Sequence, residues 1–168
     1  MNLVKNALDR VLTWACVALF ALLVVDVAWQ VFARQVLDQP SGWSEELAKY
    51  LFIWLGLFGA ALVFGERGHI AVDVLAKKLP VMVQRTLAVV VQLAVLTFTG
   101  LALVWGGLRV VDLAWEQNLT GLPVNVGPLY LALPISGVLI AFYTVYHLLK
   151  LFTGEETAAV DDAEPDVI

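Results

Sequence analysis

Charge is scarce in this chain and cysteine almost absent. Only 15% of the 168 residues are Asp, Glu, Lys or Arg, against about 25% in an average soluble domain. Cys16 is the single cysteine, so no intrachain disulfide can form and no thiolate metal site can be built. Histidine is nearly as rare, at His69 and His147. A haem wants paired axial histidines inside a bundle, and zinc wants three or four converging ligands; neither is assembled from this pair. There is also no glycine-rich phosphate loop, no Ser/His/Asp set with suggestive spacing and no basic-aromatic stripe. These absences argue against an enzyme, against a bound cofactor or metal, and against nucleic acid as a partner.

Apolar residues supply what is missing elsewhere, at 61% of the chain. They come in long runs rather than in amphipathic stripes, which is the pattern of a protein dissolved in lipid. The expected fold is an all-α integral membrane protein with four transmembrane helices. The formal net charge of -5 belongs to one end: Glu155, Glu156, Asp161, Asp162, Glu164 and Asp166 are six acids without a base, and removing them (-5 + 6) leaves +1. Residues 153–168 therefore read as an acidic, disordered tail.

The spans are expected at about 11–33, 44–65, 86–108 and 129–149, within a membrane domain over 11–152 that follows an N-tail over 1–10. Twenty-three helical residues reach ~35 Å, enough for a ~30 Å hydrocarbon core. The first apolar run is too long for a cleaved signal peptide and no small-residue cleavage site follows it, so it reads as an anchor. Asp38-Gln39-Pro40-Ser41-Gly42 is a turn by composition. Ser41 or Ser44 can cap the next helix, and Glu45 and Glu46 fall in its first turn, where the helix dipole favours acids. The uncharged part of that helix, residues 50–65, is short, so the span borrows its opening turns from the Glu-Glu region. Between the second and third spans, residues 70–79 read as a short amphipathic helix lying in the headgroup region, ended by Pro80.

Orientation follows from the basic residues. Lys5, Arg10, Arg67, Lys77, Lys78, Arg85 and Lys150 fall on one side, and Arg34, Lys49 and Arg109 on the other. This seven-to-three bias places both termini in the cytoplasm. Trp14 and Tyr146 then mark the inner interface, and Trp29, Trp43, Trp115 and Tyr130 the outer one.

One intramembrane acid stands out. Asp26 interrupts the first span, and a carboxylate there is costly unless it serves a proton or ion path or makes a polar contact. It lies toward the outer end with Gln30 one turn away, so a polar contact involving Asp26 and Gln30 is the preferred reading. Small residues Gly56, Gly59, Ala60 and Ala61 on the second span, and Gly137 and Ala141 on the fourth, offer faces on which another helix can approach closely.

Four ordered stretches resemble one family. Val31-Phe32-Ala33-Arg34 closes the first span, and Trp43-Ser44-Glu45-Glu46-Leu47-Ala48 opens the second. Leu57-Phe58-Gly59-Ala60-Ala61 continues it, and Gly68-His69-Ile70-Ala71-Val72-Asp73 follows in the inner loop. With Leu122-Pro123 and Pro134, this set resembles the small membrane subunit (DctQ-like) of tripartite ATP-independent periplasmic (TRAP) transporters, over roughly residues 12–150. Asp26 and the tail match nothing in that pattern.

The resemblance implies a small permease subunit in a bacterial inner membrane. It would brace a large many-span permease subunit that holds the substrate and sodium sites, while a soluble periplasmic protein delivers an organic acid. Arg34, Trp43, Glu45, Glu46, Gly59, His69 and Asp73 become candidate assembly or docking residues. The alternative is a self-contained four-span proton-coupled antiporter using Asp26.

Overall fold

The computed structural model describes residues 2–66 and 80–153. Among them run α1 (Asn2–Val36), α2 (Gly42–Gly65), α3 (Val81–Phe98), a π-helix (Thr99–Gly106), α4 (Gly107–Ala114), α5 (Val126–Tyr130) and α6 (Ala132–Thr153). No strand is present among the described residues; a single isolated bridge joins Asn118 to Asn125. Four stretches are long and apolar enough to cross a bilayer: Leu3–Val36, Gly42–Gly65, Met82–Ala114 and Val126–Leu151. The all-α, four-span class expected from the sequence is the class observed. The amphipathic helix expected over residues 70–79 lies outside the described residues, and so do His69, Asp73 and the tail from residue 154 onward.

The first turn is made by Asp38, whose φ of 51° is left-handed; Asp tolerates this region better than most residues because its short side chain can bond locally. The Gln39 N–H reaches back to the Ala33 carbonyl at 3.2 Å, which satisfies a carbonyl at the end of α1. Ser41 then occupies the N-cap position of α2 in extended backbone, with no capping bond from its side chain. Neither serine caps as expected: the Ser41 hydroxyl is buried without a hydrogen bond, and the Ser44 hydroxyl turns to α1 instead.

The third span does not end with its uncharged run at Leu108. α3, the π-helix and α4 form one continuous rod, with Phe98 and Gly106 both in right-handed helical backbone at the joints. The rod carries Arg109 and Asp112 with it to Ala114. Arg109 is accommodated because its guanidinium stacks 4.1 Å from the centre of the Trp105 ring, an aromatic-cation contact that suits an interface between lipid and water.

Neighbour relations give the order of the spans. α1 packs on α2, α2 on α6, and α6 on α3, the π-helix and α4. The fourth span is therefore central: 44% of its apolar stretch is buried, against 11%, 11% and 6% in the first, second and third. Gly137 makes the closest approach on it. A Cβ there would stand 2.8 Å from the Leu103 Cβ and 2.9 Å from the Val104 Cγ2, so only a residue without a side chain lets α6 seat against the π-helix. The outer flanks are apolar and uncovered, with Trp14, Phe20, Val25, Phe98, Leu101 and Leu113 all more than half exposed.

The glycines expected to mark packing faces thus separate into two kinds, since Gly56 and Gly59 have open space where a Cβ would go. Gly137→Ala should destabilise the isolated chain by about 1–3 kcal/mol through overpacking. Gly59→Ala should leave it unchanged or slightly more stable, given the better helix propensity of alanine. Thermal unfolding of the two variants in detergent micelles checks this contrast.

Candidate subunit-docking site

Asp26 is 6% exposed and Ser44 fully buried, where α1 closes and α2 opens. The Ser44 hydroxyl donates to Asp26 Oδ1 at 2.6 Å, and the Gln30 amide donates to Asp26 Oδ2 at 2.9 Å. The same Gln30 nitrogen also donates to the Ser44 carbonyl at 3.0 Å. Three polar groups therefore close on one another across the helix pair. A carboxylate in an apolar setting is tolerable only when its oxygens are met in this way. Both oxygens are engaged within the chain, and Asp26 with Gln30 pins the first span to the second.

The two adjacent acids of α2 separate into two situations. Glu46 Oε2 accepts the Gly121 N–H at 2.9 Å, which draws the 115–125 connection over the start of α2. Gly121 is needed there, since a Cβ would meet the Trp43 Cα and N at 2.9 Å each. Within that connection the Asn125 side chain donates to the Trp115 carbonyl at 3.1 Å, and below it the Trp54 indole donates to the Leu129 carbonyl at 2.9 Å. Glu45 has no such engagement and is exposed, as are Arg34 and Lys49. Among the described residues the ion pair present is Lys5–Asp9, at the opposite end.

Two clefts meet at Glu45. One, of about 100 Å³, is lined by Val27, Gln30, Val31, Arg34, Pro40, Ser41 and Glu45. The other, of about 500 Å³ and widely open, is lined by Gly42, Glu45, Glu46, Lys49, Thr120 and Gly121. The structure thus brings Arg34, Glu45 and Glu46 to one end of the bundle, with Trp43 beside them at 42% exposure. Gly59 lies elsewhere, on the open side of α2.

The opposite end has its own set of bonds. The Tyr143 hydroxyl donates to Asp9 Oδ1 at 2.6 Å, tying α6 to α1. Asp9 Oδ2 meets Lys5 Nζ at 2.7 Å. The His147 Nε2 stands 3.2 Å from the Gly65 carbonyl and ties α6 to α2. Sequence reasoning passed over Asp9 and Tyr143, because a flanking charge and a tyrosine 134 positions away carry no mutual pattern. Tyr146, expected at the membrane interface, is 3% exposed and packs edge-on against His147. Among the described residues no group of three or more His, Cys, Asp or Glu comes together as a metal site would require.

These features define a multi-pass helical membrane protein whose intramembrane acid and hydroxyls hold its own helices. A sequence profile described as "Tripartite ATP-independent periplasmic transporters, DctQ component" matches residues 23–154. The chain belongs to this family: it is a small permease subunit of a TRAP transporter in the inner membrane, and not an enzyme. It is similar to the sialic acid TRAP transporter small permease protein SiaQ of Vibrio cholerae, with 30% identity over 157 residues, 92% of this chain and 88% of that protein. It is similar also to the C4-dicarboxylate TRAP transporter small permease protein DctQ of Pseudomonas aeruginosa, with 44% identity over 83 residues, 49% of this chain and 37% of the relative. A third relative is the sialic acid TRAP transporter permease protein SiaT of Haemophilus influenzae. It is 29% identical over 126 residues, which are 75% of this chain but 20% of that longer protein.

Replacing Asp26 by alanine strands the Ser44 hydroxyl and leaves the Gln30 amide with the Ser44 carbonyl as its one acceptor. The isolated chain should lose about 1–3 kcal/mol, the penalty for buried polar groups left unmet. Asp26→Asn keeps an acceptor for Ser44 and should cost less. Chemical denaturation in mixed micelles, following both variants beside the parent, measures the order.

Proposed function

We propose that this subunit braces a large sodium-coupled permease subunit during uptake of an organic acid delivered by a periplasmic binding protein. The observation that carries the reading is the use of the polar side chains. Asp26, Gln30, Ser44, Glu46, Asp9 and Tyr143 bond within the chain and tie together the first, second and fourth spans and the connection that follows the third. Such bonding suits a scaffold better than a moving carrier. The match to one fifth of SiaT supports a large permease as the partner, since there the corresponding stretch is part of a longer chain. The acid class of substrate rests on the names of the relatives, which specify sialic acid and C4-dicarboxylate.

In this reading both termini lie in the cytoplasm and the Arg34–Glu45–Lys49 end faces the periplasm, as the distribution of basic residues favours. The lipid bilayer covers whatever apolar surface the large subunit leaves free, and sodium binds on the large subunit. His69 and Asp73 keep their proposed part in assembly from the family resemblance alone. A proton-coupled antiporter working through Asp26 has little support, because both carboxylate oxygens are already held by Ser44 and Gln30.

The neighbouring glutamates divide the docking hypothesis. Glu45 is free for a partner and Glu46 is committed to Gly121, so Glu45→Ala should lower recovery of the large subunit or of uptake while leaving the melting temperature of the chain unchanged. Glu46→Ala should speed amide hydrogen exchange in the 115–125 connection first. Tandem affinity purification with an uptake assay checks the first statement, and exchange mass spectrometry the second. A double alanine variant with undiminished complex and undiminished uptake would remove these acids from assembly and docking.

A further inference from the structure

Among the described residues, the serine and threonine hydroxyls and the amide of Gln30 that lie inside the spans find partners within the chain. Thr97, Thr99 and Thr144 return their hydroxyls to a carbonyl one turn back at 2.8, 2.6 and 2.8 Å, and Ser136 donates to Leu133 at 3.0 Å. Gln30 is shared between Asp26 and Ser44. Gln92 differs: among the described residues no hydrogen bond reaches its side-chain amide. It lies six residues into the apolar run that begins at Thr86, about 9 Å along the helix at ~1.5 Å per residue. At that depth neither water nor lipid tails offer a partner, and an unmet amide is costly.

Its position on the helix narrows the choice. Ala88, Gln92 and Val95 are half-buried and Thr99 is buried, and spacings of three and four residues put them on one face. Outside its own rod α3 packs on α6, so this is the face turned to the fourth span, and Gln92 sits on the seam between the third and fourth spans. The third span is also the least covered of the four, with 6% of its apolar stretch buried. The first span forms the other flank of the bundle, and its intramembrane acid and amide are both satisfied within the chain. One flank is chemically complete and the other lacks a partner.

We infer that the seam between the third and fourth spans is where the large permease subunit docks, with Gln92 bonding to a polar group on one of its helices. This rests on the proposed function for the identity of the partner. A second copy of this chain is the weaker candidate, because the counterpart in SiaT makes up one fifth of a single longer chain and so adjoins permease sequence covalently.

The test uses the whole transporter, co-expressed and purified in mild detergent, with a diazirine-bearing amino acid at position 92. Illumination should join this chain to the large subunit. Gln92→Leu should weaken recovery of the large subunit roughly three- to thirtyfold, the range that one interhelical hydrogen bond in a membrane supports. Gln92→Asn should keep part of it. Melting of isolated Gln92→Leu at or above the parental temperature shows that the fold is retained. An adduct with a second copy, an adduct with lipid only, no adduct, or full recovery with Gln92→Leu overturns the inference. A parent chain that does not co-purify with the large subunit overturns the proposed function and this inference with it. A parent that does, beside an unaffected Gln92→Leu, overturns the inference alone.

Discussion

Everything in this bundle depends on one rule of the hydrocarbon phase, that polar groups must find partners inside the protein. The closed set of Asp26, Gln30 and Ser44 is its clearest expression. Helices in lipid gain nothing from hiding apolar surface, so association has to come from close packing and hydrogen bonds. At one end the Asp26 set joins the first two spans while Glu46 holds the connection between the last two. At the other, Asp9 and Gly65 both reach α6, through Tyr143 and His147. Between the ends, Gly137 lets the fourth span press against the π-helix. The central position of the fourth span follows from these contacts.

Much of the fold was legible, since four apolar runs separated by polar segments leave little choice of class. The details were not, for identifiable reasons. Span limits were read from charge, yet Arg109 stays helical by stacking on Trp105, and the helix runs on to Ala114. The π-helix over Thr99–Gly106 has no signal in a composition-based reading. Ser44 looked like a cap because serines ahead of acids usually are, whereas a buried carboxylate on the facing helix is the stronger attraction for its hydroxyl. For the candidate site, the sequence placed Arg34, Trp43, Glu45 and Glu46 near one another simply by proximity in the chain. It could not separate Glu45 from Glu46, because Gly121 lies 75 positions away.

The division of labour that emerges is physical. Polar side chains such as Asp26 and Asp9 are spent on holding helices together, and Arg34, Glu45 and Lys49 stand exposed at one end. A moving carrier would have to break such bonds in each cycle, while a scaffold keeps them. Membership of the DctQ family makes the chain a subunit of a larger transporter, and the internal bonding is compatible with the bracing role proposed above.

The central claim is that transport requires partners and is not a property of this chain. The direct measurement is substrate uptake into proteoliposomes under an inward sodium gradient, with the purified chain alone and with the large permease subunit and binding protein added. The account predicts no uptake above protein-free vesicles for the chain alone, and uptake once all three components are present. Gradient-driven uptake or exchange by the chain alone, abolished by Asp26→Asn, would contradict it.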